Sequence, residues 1–260
     1  MSDAEIAELY NNGTGLELQG ASSVNLTTGL QAFYKLSDLT DSSGNNRTHT
    51  NNGNVSFASG KLGNAANLQG SQTLEAQINS ISSSSSGSYS CWVNRNGIVE
   101  FPLCLIKAFG TSVYADSYTA THPDGRLNGS IPSLGEFSVN LNSTDWAHFV
   151  LSYNSTTQEA KMYANGQVFY AGTTSSAFQD SNFVIGAGDG WQGKGLVDAV
   201  GIWDRALTEA EVAELYNGGD GLELGSEGNN YNSYFSVAKI QGKSIFTGKV
   251  KFIDPMGYNS

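Results

Sequence analysis

The acidic and histidine side chains of this sequence are the first candidates for chemistry, because paired carboxylates or a His beside a nucleophile can catalyse hydrolysis. The predicted strands carry only isolated acids, at Glu100, Asp116, Glu136, Glu159 and Asp198. The histidines are scattered, at His49, His122 and His148. No nucleophile elbow, phosphate-binding loop or zinc-ligand spacing is present. The sequence therefore predicts a protein that is not an enzyme.

A sugar-binding site is the second candidate, since glycans bind to an exposed aromatic ring flanked by amide and carboxylate groups. The glycine-rich segment GDGWQGKG, residues 188–195, offers Trp191, with Asp189, Gln192 and Lys194 beside it. The competing interpretation is a loop tryptophan packed under its neighbours.

Two tyrosines extend this candidate site, and the other tryptophans do not. Tyr114 and Tyr118 fall on one face of a predicted strand by the two-residue strand period. The remaining tryptophans lie in apolar strand patterns and are predicted to be core residues: Trp92, Trp146 and Trp203.

The net charge of the chain argues against two classes of binding partner. The formal net charge is −11, and only 14% of residues are charged. Nucleic acid and anionic membranes attract basic surfaces, so neither is a predicted partner. No apolar run approaches the length of a membrane span, and no secretion signal is visible.

The elements that must position these residues are short strands separated by turns. Nine segments rich in β-branched and aromatic residues recur at intervals of roughly ten residues, a pattern typical of a two-sheet sandwich. They cover residues 88–94, 102–109, 112–120, 136–141, 146–154, 159–165, 167–172, 182–188 and 196–204.

Two short helices come from one repeated segment. SDAEIAELYNNGTGLEL at residues 2–18 returns as TEAEVAELYNGGDGLEL at 208–224. In the second copy Thr208 and Glu211 form a capping-box pattern, and Val212 and Leu215 fall on one face. Helices this short must dock on other structure. The first copy is the remnant of a preceding repeat, an internal stretch of a longer reading frame, or an arm that docks on a neighbour.

The order of the segments resembles the laminin-G-like, or concanavalin-A-like, jelly-roll family from about residue 29 to residue 224. The stations are GLQAFYKLSDLTDSSGNN, GKLGNAANLQGS, SCWV, WAHFVLSYN, KMYANGQ, FVIGAG and the exit GLVDAVGIWDRALTEAEVAELYNGG. The resemblance implies an all-β fold: a two-sheet antiparallel jelly-roll sandwich with one short closing helix. An orphan N-terminal helix and a short β-rich C-terminal tail flank it.

Calcium is the one cofactor that the resemblance implies; none is predicted otherwise. Relatives often hold calcium between the entry loop and the acid of the exit strand, and the matching positions here are Asp41, Asn45 and Asp198. Ala199 stands where a second acid is common, which weakens the prediction. The alternative is that Asp41 and Asn45 make turn hydrogen bonds to the backbone.

The segments outside the sandwich favour an assembly role. The predicted organisation is an orphan helix segment at 1–20, the jelly roll at 21–224, and a linker with a β-rich tail at 225–260. The tail carries Lys239, Lys243, Lys249 and Lys251 against Glu227 and Asp254, which gives +2 and leaves −13 for the rest. A tail this short cannot bury its own core and must pair with other strands.

The leading functional hypothesis is therefore a non-catalytic virion component, such as a phage capsid decoration or fibre protein. Its predicted partners are other copies or other virion or surface proteins, contacted through residues 1–18 and 226–260. The alternative is a lectin-type module that binds cell-surface or other polysaccharides. Both hypotheses predict a virion or an extracellular surface as the location.

Overall fold

The computed structural model describes residues 24–81, 85–95, 103–116, 126–131, 133–140, 146–178, 182–186 and 193–224, with the backbone alone at 103–105, 112–116 and 126. The predictions for residues 1–20, for Tyr118, Asp189, Trp191 and Gln192, and for the tail 225–260 lie outside this range. Residues Asn25–Gly228 group into one compact unit.

The described residues form fifteen strands. In chain order they are β1 Leu30–Tyr34, β2 Thr50–Asn52, β3 Ser56–Ser59, β4 Asn64–Gly70, β5 Thr73–Gln77, β6 Gly87–Asn94, β7 Leu103–Ala108, β8 Thr111–Asp116, β9 Arg126–Ile131, β10 Gly135–Asn140, β11 Ala147–Asn154, β12 Glu159–Ala164, β13 Gln167–Thr173, β14 Asn182–Gly186 and β15 Gly193–Trp203.

The strands build two antiparallel sheets. The eight-stranded sheet runs β13-β12-β11-β6-β15-β4-β3, with β1 also paired to β15, and the seven-stranded sheet runs β10-β9-β8-β7-β14-β5-β2. Many strands that follow one another in sequence lie in different sheets, so the chain crosses repeatedly between the two sheets, as in a jelly-roll sandwich. The predicted all-β jelly-roll fold is confirmed.

Aromatic rings fill the space between the sheets. Tyr89 of β6 is fully buried, and its ring centroid lies 6.3, 6.0 and 6.2 Å from those of Phe109, Phe149 and Phe183. Alternate residues of β6 and β11 point into this core, which leaves Ser88, Trp92 and their neighbours on the opposite, outer face of the eight-stranded sheet.

Strand β15 changes partner halfway along its length. Residues Gly193–Val197 pair with β4, and residues Val200–Trp203 pair with β1, while β6 flanks the other side. A bulge between Asp198 and Gly201 separates the two halves, and Ala199 there takes a left-handed φ of 45°. The bulge aims Asp198 at the outer face of the sheet.

The closing helix α1, Glu209–Tyr216, packs on this outer face. Thr208 caps it: the Thr208 hydroxyl accepts a hydrogen bond from the Glu211 N–H, and the Glu211 carboxylate accepts one from the Thr208 N–H. Val212 and Leu215 are buried, and the Tyr216 ring stacks 5.8 Å from that of Trp92. The predicted helix and its capping box are both present.

Arg205 ties α1 to the start of the domain. Its guanidinium donates to both Glu211 carboxylate oxygens at 2.9 and 2.5 Å. The same side chain donates to the backbone carbonyl oxygens of Thr28 at 2.7 Å and Asn25 at 3.2 Å. One planar cation therefore joins the segment before β1, the end of β15 and the helix cap.

The first prediction concerns this ion pair. Replacing Glu211 with Ala leaves Arg205 partly buried without its carboxylate, and we expect a loss of about 3 kcal/mol in the free energy of unfolding, measured by urea titration. The matched control is Glu209→Ala on the same helix, because the Glu209 side chain is 70% exposed and its ion pair is with the surface residue Lys161. We expect the control to change stability by less than about 0.5 kcal/mol. Equal losses for both variants would contradict the role of Arg205.

The pair also has a pH signature. Burial raises the pKa of Glu211, but the hydrogen bonds from Arg205 and Thr208 outweigh it, so the pKa lies below its ordinary value of 4.5. The pair therefore stabilises the fold above pH 4.5, and this contribution is lost as the pH falls through the folded-state pKa.

Candidate functional site

One end of the eight-stranded sheet carries a patch of amide side chains on its outer face. Val93, Val197 and Ala66 pair in register and point into the sandwich, so the residues next to them in each strand point outward. We call the outward set the amide patch; it comprises Asn67, Gln69, Asn94 and Lys194. Asn94 and Asn67 flank Leu196 in register, and Gln69 pairs with Lys194.

Hydrogen bonds hold the patch in shape. Gln69 Nε2 donates to Asn67 Oδ1 at 2.5 Å, and the Gln69 backbone N–H donates to Gln72 Oε1 at 3.0 Å. Gln72 Nε2 in turn donates to the carbonyl oxygens of Gly53 and Asn54 at 3.1 and 3.2 Å. Gln72 thus connects β4 to the loop after β2.

Two chain crossings between the sheets lie side by side at this end. The turn from β4 to β5 leaves the eight-stranded sheet at Gly70 and enters the other at Thr73. In the opposite direction, β14 of the seven-stranded sheet ends at Gly186 and β15 of the eight-stranded sheet begins at Gly193. Gly193 pairs with Gly70, and Gly186 pairs with Thr73. Both bases of the loop that carries Trp191 therefore lie against the turn that carries Gln72.

A glycine makes this approach possible. Gly186 has a φ of 110°, and a Cβ there would lie 2.3 Å from the Gln72 carbonyl oxygen. Any side chain would push the loop base away from the turn.

Polar groups continue into the seven-stranded sheet. Asn52 Nδ2 donates to Thr73 Oγ1 at 3.4 Å, and Thr73 Oγ1 donates to Glu75 Oε1 at 2.8 Å. This end of the sandwich therefore presents amide, hydroxyl, carboxylate and ammonium groups, the set that pairs with sugar hydroxyls.

Position 114 belongs to the same end. Tyr114 of β8 pairs with Cys104 of β7. Two residues further along β7, Ile106 pairs with Ile185, the residue before β14 ends at Gly186. Only β7 separates β8 from β14, so the Tyr114 backbone lies about 10 Å from the loop base by strand spacing. The structure brings Tyr114 and Lys194 to the base of loop 187–192.

The tryptophan predictions are partly corrected. Trp92 and Trp203 are buried, as predicted for core residues. Trp146 was predicted to be core but is only partly buried. It precedes β11 at the residue before Ala147, which pairs with Val93, so it stands beside the amide patch. The prediction included Trp146 in the apolar segment 146–154, whereas β11 begins at Ala147.

The calcium candidates fall into separate hydrogen-bond sets. Asp41 Oδ1 accepts from the Phe33 and Ser43 N–H groups at 3.0 and 2.9 Å, and Oδ2 accepts from the Arg47 N–H at 3.0 Å. Asn45 Nδ2 donates to the Leu30 and Gln31 carbonyl oxygens at 3.0 Å each. Asp41 and Asn45 therefore make the turn hydrogen bonds to the backbone that were the alternative to calcium binding. These bonds hold the entry loop against β1.

Asp198 is fully buried at the bulge of β15. Its Oδ2 accepts from the Lys61 and Leu62 N–H groups at 2.7 and 2.8 Å, and its Oδ1 accepts from the Ala199 N–H at 2.6 Å. A Cβ on Gly60 would lie 2.5 Å from Oδ2, which explains the glycine at the start of the GKLG turn. Asp41 and Asp198 share no hydrogen-bond partner.

The carboxylates of Asp41 and Asp198 are thus already engaged by N–H donors, and the Asn45 amide donates to backbone carbonyl oxygens, so these three residues do not fit a shared calcium site. Across the described ranges there is no cluster of three or more His, Cys, Asp or Glu side chains that could hold a metal. Calcium binding stays a prediction. Titration calorimetry tests it: the hydrogen-bond sets lead us to expect no heat of binding, and a saturable heat lost in Asp198→Asn would contradict this.

Burial gives Asp198 a pH signature of its own. Desolvation raises its pKa to about 6, although the backbone hydrogen bonds from Leu62, Ala199 and Lys61 oppose the rise. A carboxyl group whose pKa is raised in the folded state stabilises the fold most when it is protonated. The contribution of Asp198 to the free energy of unfolding is therefore full below its ordinary pKa of 3.8 and declines as the pH rises to about 6.

Thermal unfolding between pH 4 and pH 7 tests this shift. We expect Asp198 to lower stability by roughly 3 kcal/mol across this range. The variant Asp198→Asn cannot titrate, so its stability should change less over the same range. Identical pH profiles for the variant and the original chain would contradict the raised pKa.

Two of the histidines, His49 and His148, are buried. His148 is buried, its Nε2 lies 2.9 Å from Ser90 Oγ, and burial lowers its pKa to about 3. His49 stacks 3.7 Å from the Tyr34 ring and has a pKa of about 3 for the same reason. Both are neutral at physiological pH and shielded from solvent.

The chain belongs to the concanavalin A-like lectin/glucanases superfamily, whose Laminin_G_3 family model matches residues 68–213. A comparison with curated proteins finds no match. Within the described ranges, no helix has the length and apolar character needed to cross a membrane.

Several solved structures share the fold. Domain 4 of AbnA, a GH43 extracellular arabinanase from Geobacillus stearothermophilus in complex with arabinotriose, is 24% identical with a TM-score of 0.55; the match covers 70% of this chain and 96% of that one. The receptor-binding domain of botulinum neurotoxin C/D mosaic serotype is 13% identical with a TM-score of 0.55, over 74% of this chain and 52% of that one. The binding domain of Paraclostridial Mosquitocidal Protein 1 is 16% identical with the same TM-score and coverage. The chain spans about half the length of these two toxin domains.

Proposed function

We propose that the protein is a non-catalytic, lectin-type carbohydrate-binding module whose ligand site is the sandwich end formed by the amide patch, Gln72 and loop 187–192. The observation that carries the proposal is the pairing of both loop bases, Gly186 and Gly193, with the turn 70–73. That pairing sets Gly186 and Gly193 against the turn that carries Gln72, and the chain between these two glycines contains Asp189, Trp191 and Gln192.

The chemistry of this end suits a neutral or anionic sugar. Amide groups both donate and accept, and so can bridge adjacent sugar hydroxyls. An indole ring covers the apolar face of a pyranose or furanose ring, and Trp146 offers a second partly exposed aromatic surface. Lys194 adds a cation beside Gln69 for an anionic substituent.

The similar structures support a binding role. One is a domain in complex with arabinotriose, and another is a receptor-binding domain of a toxin. An extracellular or other surface location agrees with such relatives, one of which belongs to an extracellular enzyme.

The buried ionisable groups support the absence of catalysis. Asp198 is saturated by backbone donors, Glu211 is held by Arg205, and His148 is shielded beneath Trp92 and Tyr216. None of these groups faces a surface where a substrate could meet it.

Assembly into a virion remains the second hypothesis, and it depends on residues 1–18 and 226–260. The basic tail and acidic body support it through charge complementarity alone. Light scattering tests it: an assembly protein is oligomeric and loses this state when residues 226–260 are deleted, whereas a chain that is monomeric in both forms contradicts it.

A glycan array probed with the full chain tests the carbohydrate proposal, with arabinan oligosaccharides and sialylated glycans included. We expect saturable binding that Trp191→Ala weakens by at least about tenfold, because the aromatic surface for the sugar is lost. Gln69→Ala should weaken it by about fivefold, the effect of one hydrogen bond.

The matched control for Gln69→Ala is Gln167→Ala. Gln167 is an exposed glutamine of the same sheet, at the start of edge strand β13. We expect binding to this variant to be unchanged. A blank array with folded protein, or equal losses in both glutamine variants, would contradict the proposed site.

A further inference from the structure

The repeated segment bears on a different surface of the molecule. Residues 2–18 and 208–224 are identical at twelve of seventeen positions. The second copy fills a groove on the outer face of the eight-stranded sheet, which we call the exit groove. The residues that contact the second copy there are Lys35, Leu62, Trp92, His148 and Arg205.

The first half of the first copy, residues 2–10, retains the residue types that seat α1. Glu211, which binds Arg205, is matched by Glu5. The buried side chains of Val212 and Leu215 are matched by Ile6 and Leu9. Tyr216, whose ring stacks on Trp92 and His148, is matched by Tyr10, and the capping Thr208 by Ser2.

The second half is retained with its backbone requirements. Asn217 takes a left-handed φ of 48°, Gly219 a φ of 102° and Gly221 a φ of 80°. A Cβ on Gly221 would lie 3.1 Å from Leu62 and from the Trp92 ring nitrogen, so this glycine is needed for the close approach. The matching residues are Asn11, Gly13 and Gly15.

The last contacts are retained as well. Glu223 lies 3.6 Å from Lys35 Nζ, and Leu224 is buried. They are matched by Glu17 and Leu18.

The two copies differ at five positions, and at each of them either residue is compatible with the exit groove. Glu209 and Asp220 are exposed, and their counterparts are Asp3 and Thr14. Ser for Thr keeps the capping hydroxyl, and Ile for Val keeps a β-branched apolar side chain. Asn12 replaces Gly218, whose φ of 61° is one that asparagine tolerates.

We propose that residues 2–18 are a second ligand of the exit groove and seat there in the register of residues 208–224. The contacts on the two segments are matched, so exchange costs little interaction energy. The attachment of residue 208 to β15 favours the resident segment through its high effective concentration. A chain whose resident segment leaves therefore accepts residues 2–18, from its own sequence or from another copy.

The groove is prepared for this exchange by contacts that do not involve α1. Arg205 stays anchored by the Thr28 and Asn25 carbonyl oxygens when Glu211 departs. Ser88 and Ser152 hold the backbone N–H of Leu207, one residue before the exchanged segment begins. The cation that receives Glu211, or Glu5, thus keeps its position.

Cysteine cross-linking of the full chain tests the proposal, with Cys104→Ser as background because Cys91 is buried. The Lys35→Cys chain is mixed with the Glu17→Cys chain and treated with a short bis-maleimide. The double variant Lys35→Cys/Glu17→Cys is treated separately at high dilution. We expect a cross-linked dimer in the mixture or a cross-linked monomer in the double variant, and either product supports the proposal.

The register supplies the matched control. Asp3 corresponds to Glu209, which lies 3.3 Å from Lys161 rather than near Lys35. Asp3→Cys should therefore cross-link to Lys161→Cys and not to Lys35→Cys. Leu215→Ala in the receiving chain should increase the yield by loosening the resident segment, and Leu9→Ala in the donor should decrease it.

Two results would overturn the proposal. One is the absence of any cross-link from Glu17→Cys under conditions where Lys35→Cys/Glu223→Cys reacts fully. The other is equal reaction of Asp3→Cys and Glu17→Cys with Lys35→Cys, which would mean a contact without the register of the groove. These results are independent of glycan binding.

Discussion

The arrangement of the domain depends on the contacts that Arg205 makes at the end of β15. The outer face of the eight-stranded sheet is buried around Trp92, and its cover there is a two-turn helix that could not persist alone in water. Arg205 supplies the link: it binds the helix cap through Glu211 and the start of the domain through the Thr28 and Asn25 carbonyl oxygens. The beginning and the end of the fold are therefore held by one side chain, and the central strand lies between them.

The bulge at Asp198 and Ala199 is the second constraint, and it separates the two surfaces of the outer face. On one side β15 pairs with β1, and the exit segment covers the sheet up to Trp92. On the other side β15 pairs with β4, and the outer face carries the amide patch. Asp198 holds the GKLG turn at this boundary through its bonds to Lys61 and Leu62. A covered groove and a polar sandwich end thus share one sheet.

Local sequence patterns predicted those parts of the fold that local chemistry decides. Thr208 with Glu211, and Asn217 followed by glycine, encode the start and end of α1 in adjacent residues. The nine predicted strands were found because they are rich in β-branched and aromatic residues and are separated by turn residues. Six strands, β1–β5 and β9, were missed. The sequences of β2 and β9, TNN and RLNGSI, show why: their pairing comes from neighbouring strands and not from their own composition.

The candidate site was predicted only in part for the same reason. Trp191, Asp189, Gln192 and Lys194 could be proposed together because they are close in sequence. Gln69 and Gln72 lie more than a hundred residues earlier, and only the pairing of Gly70 with Gly193 brings them to that loop. Gly186 and Gly193 could have been predicted from the sequence as the two ends of this loop. Their pairing with the turn 70–73 could not, because it depends on the sheet topology.

An NMR titration of the ¹⁵N-labelled chain with the oligosaccharide that binds best on the array tests the carbohydrate site directly, because it observes the side-chain amide resonances. We expect shifts for Asn67, Gln69 and Gln72, with little change at Gln77 and Asn182, which lie at the opposite end of β5 and β14. Shifts confined to Gln77 and Asn182, or no shifts at saturating sugar, would contradict a carbohydrate site at the amide patch.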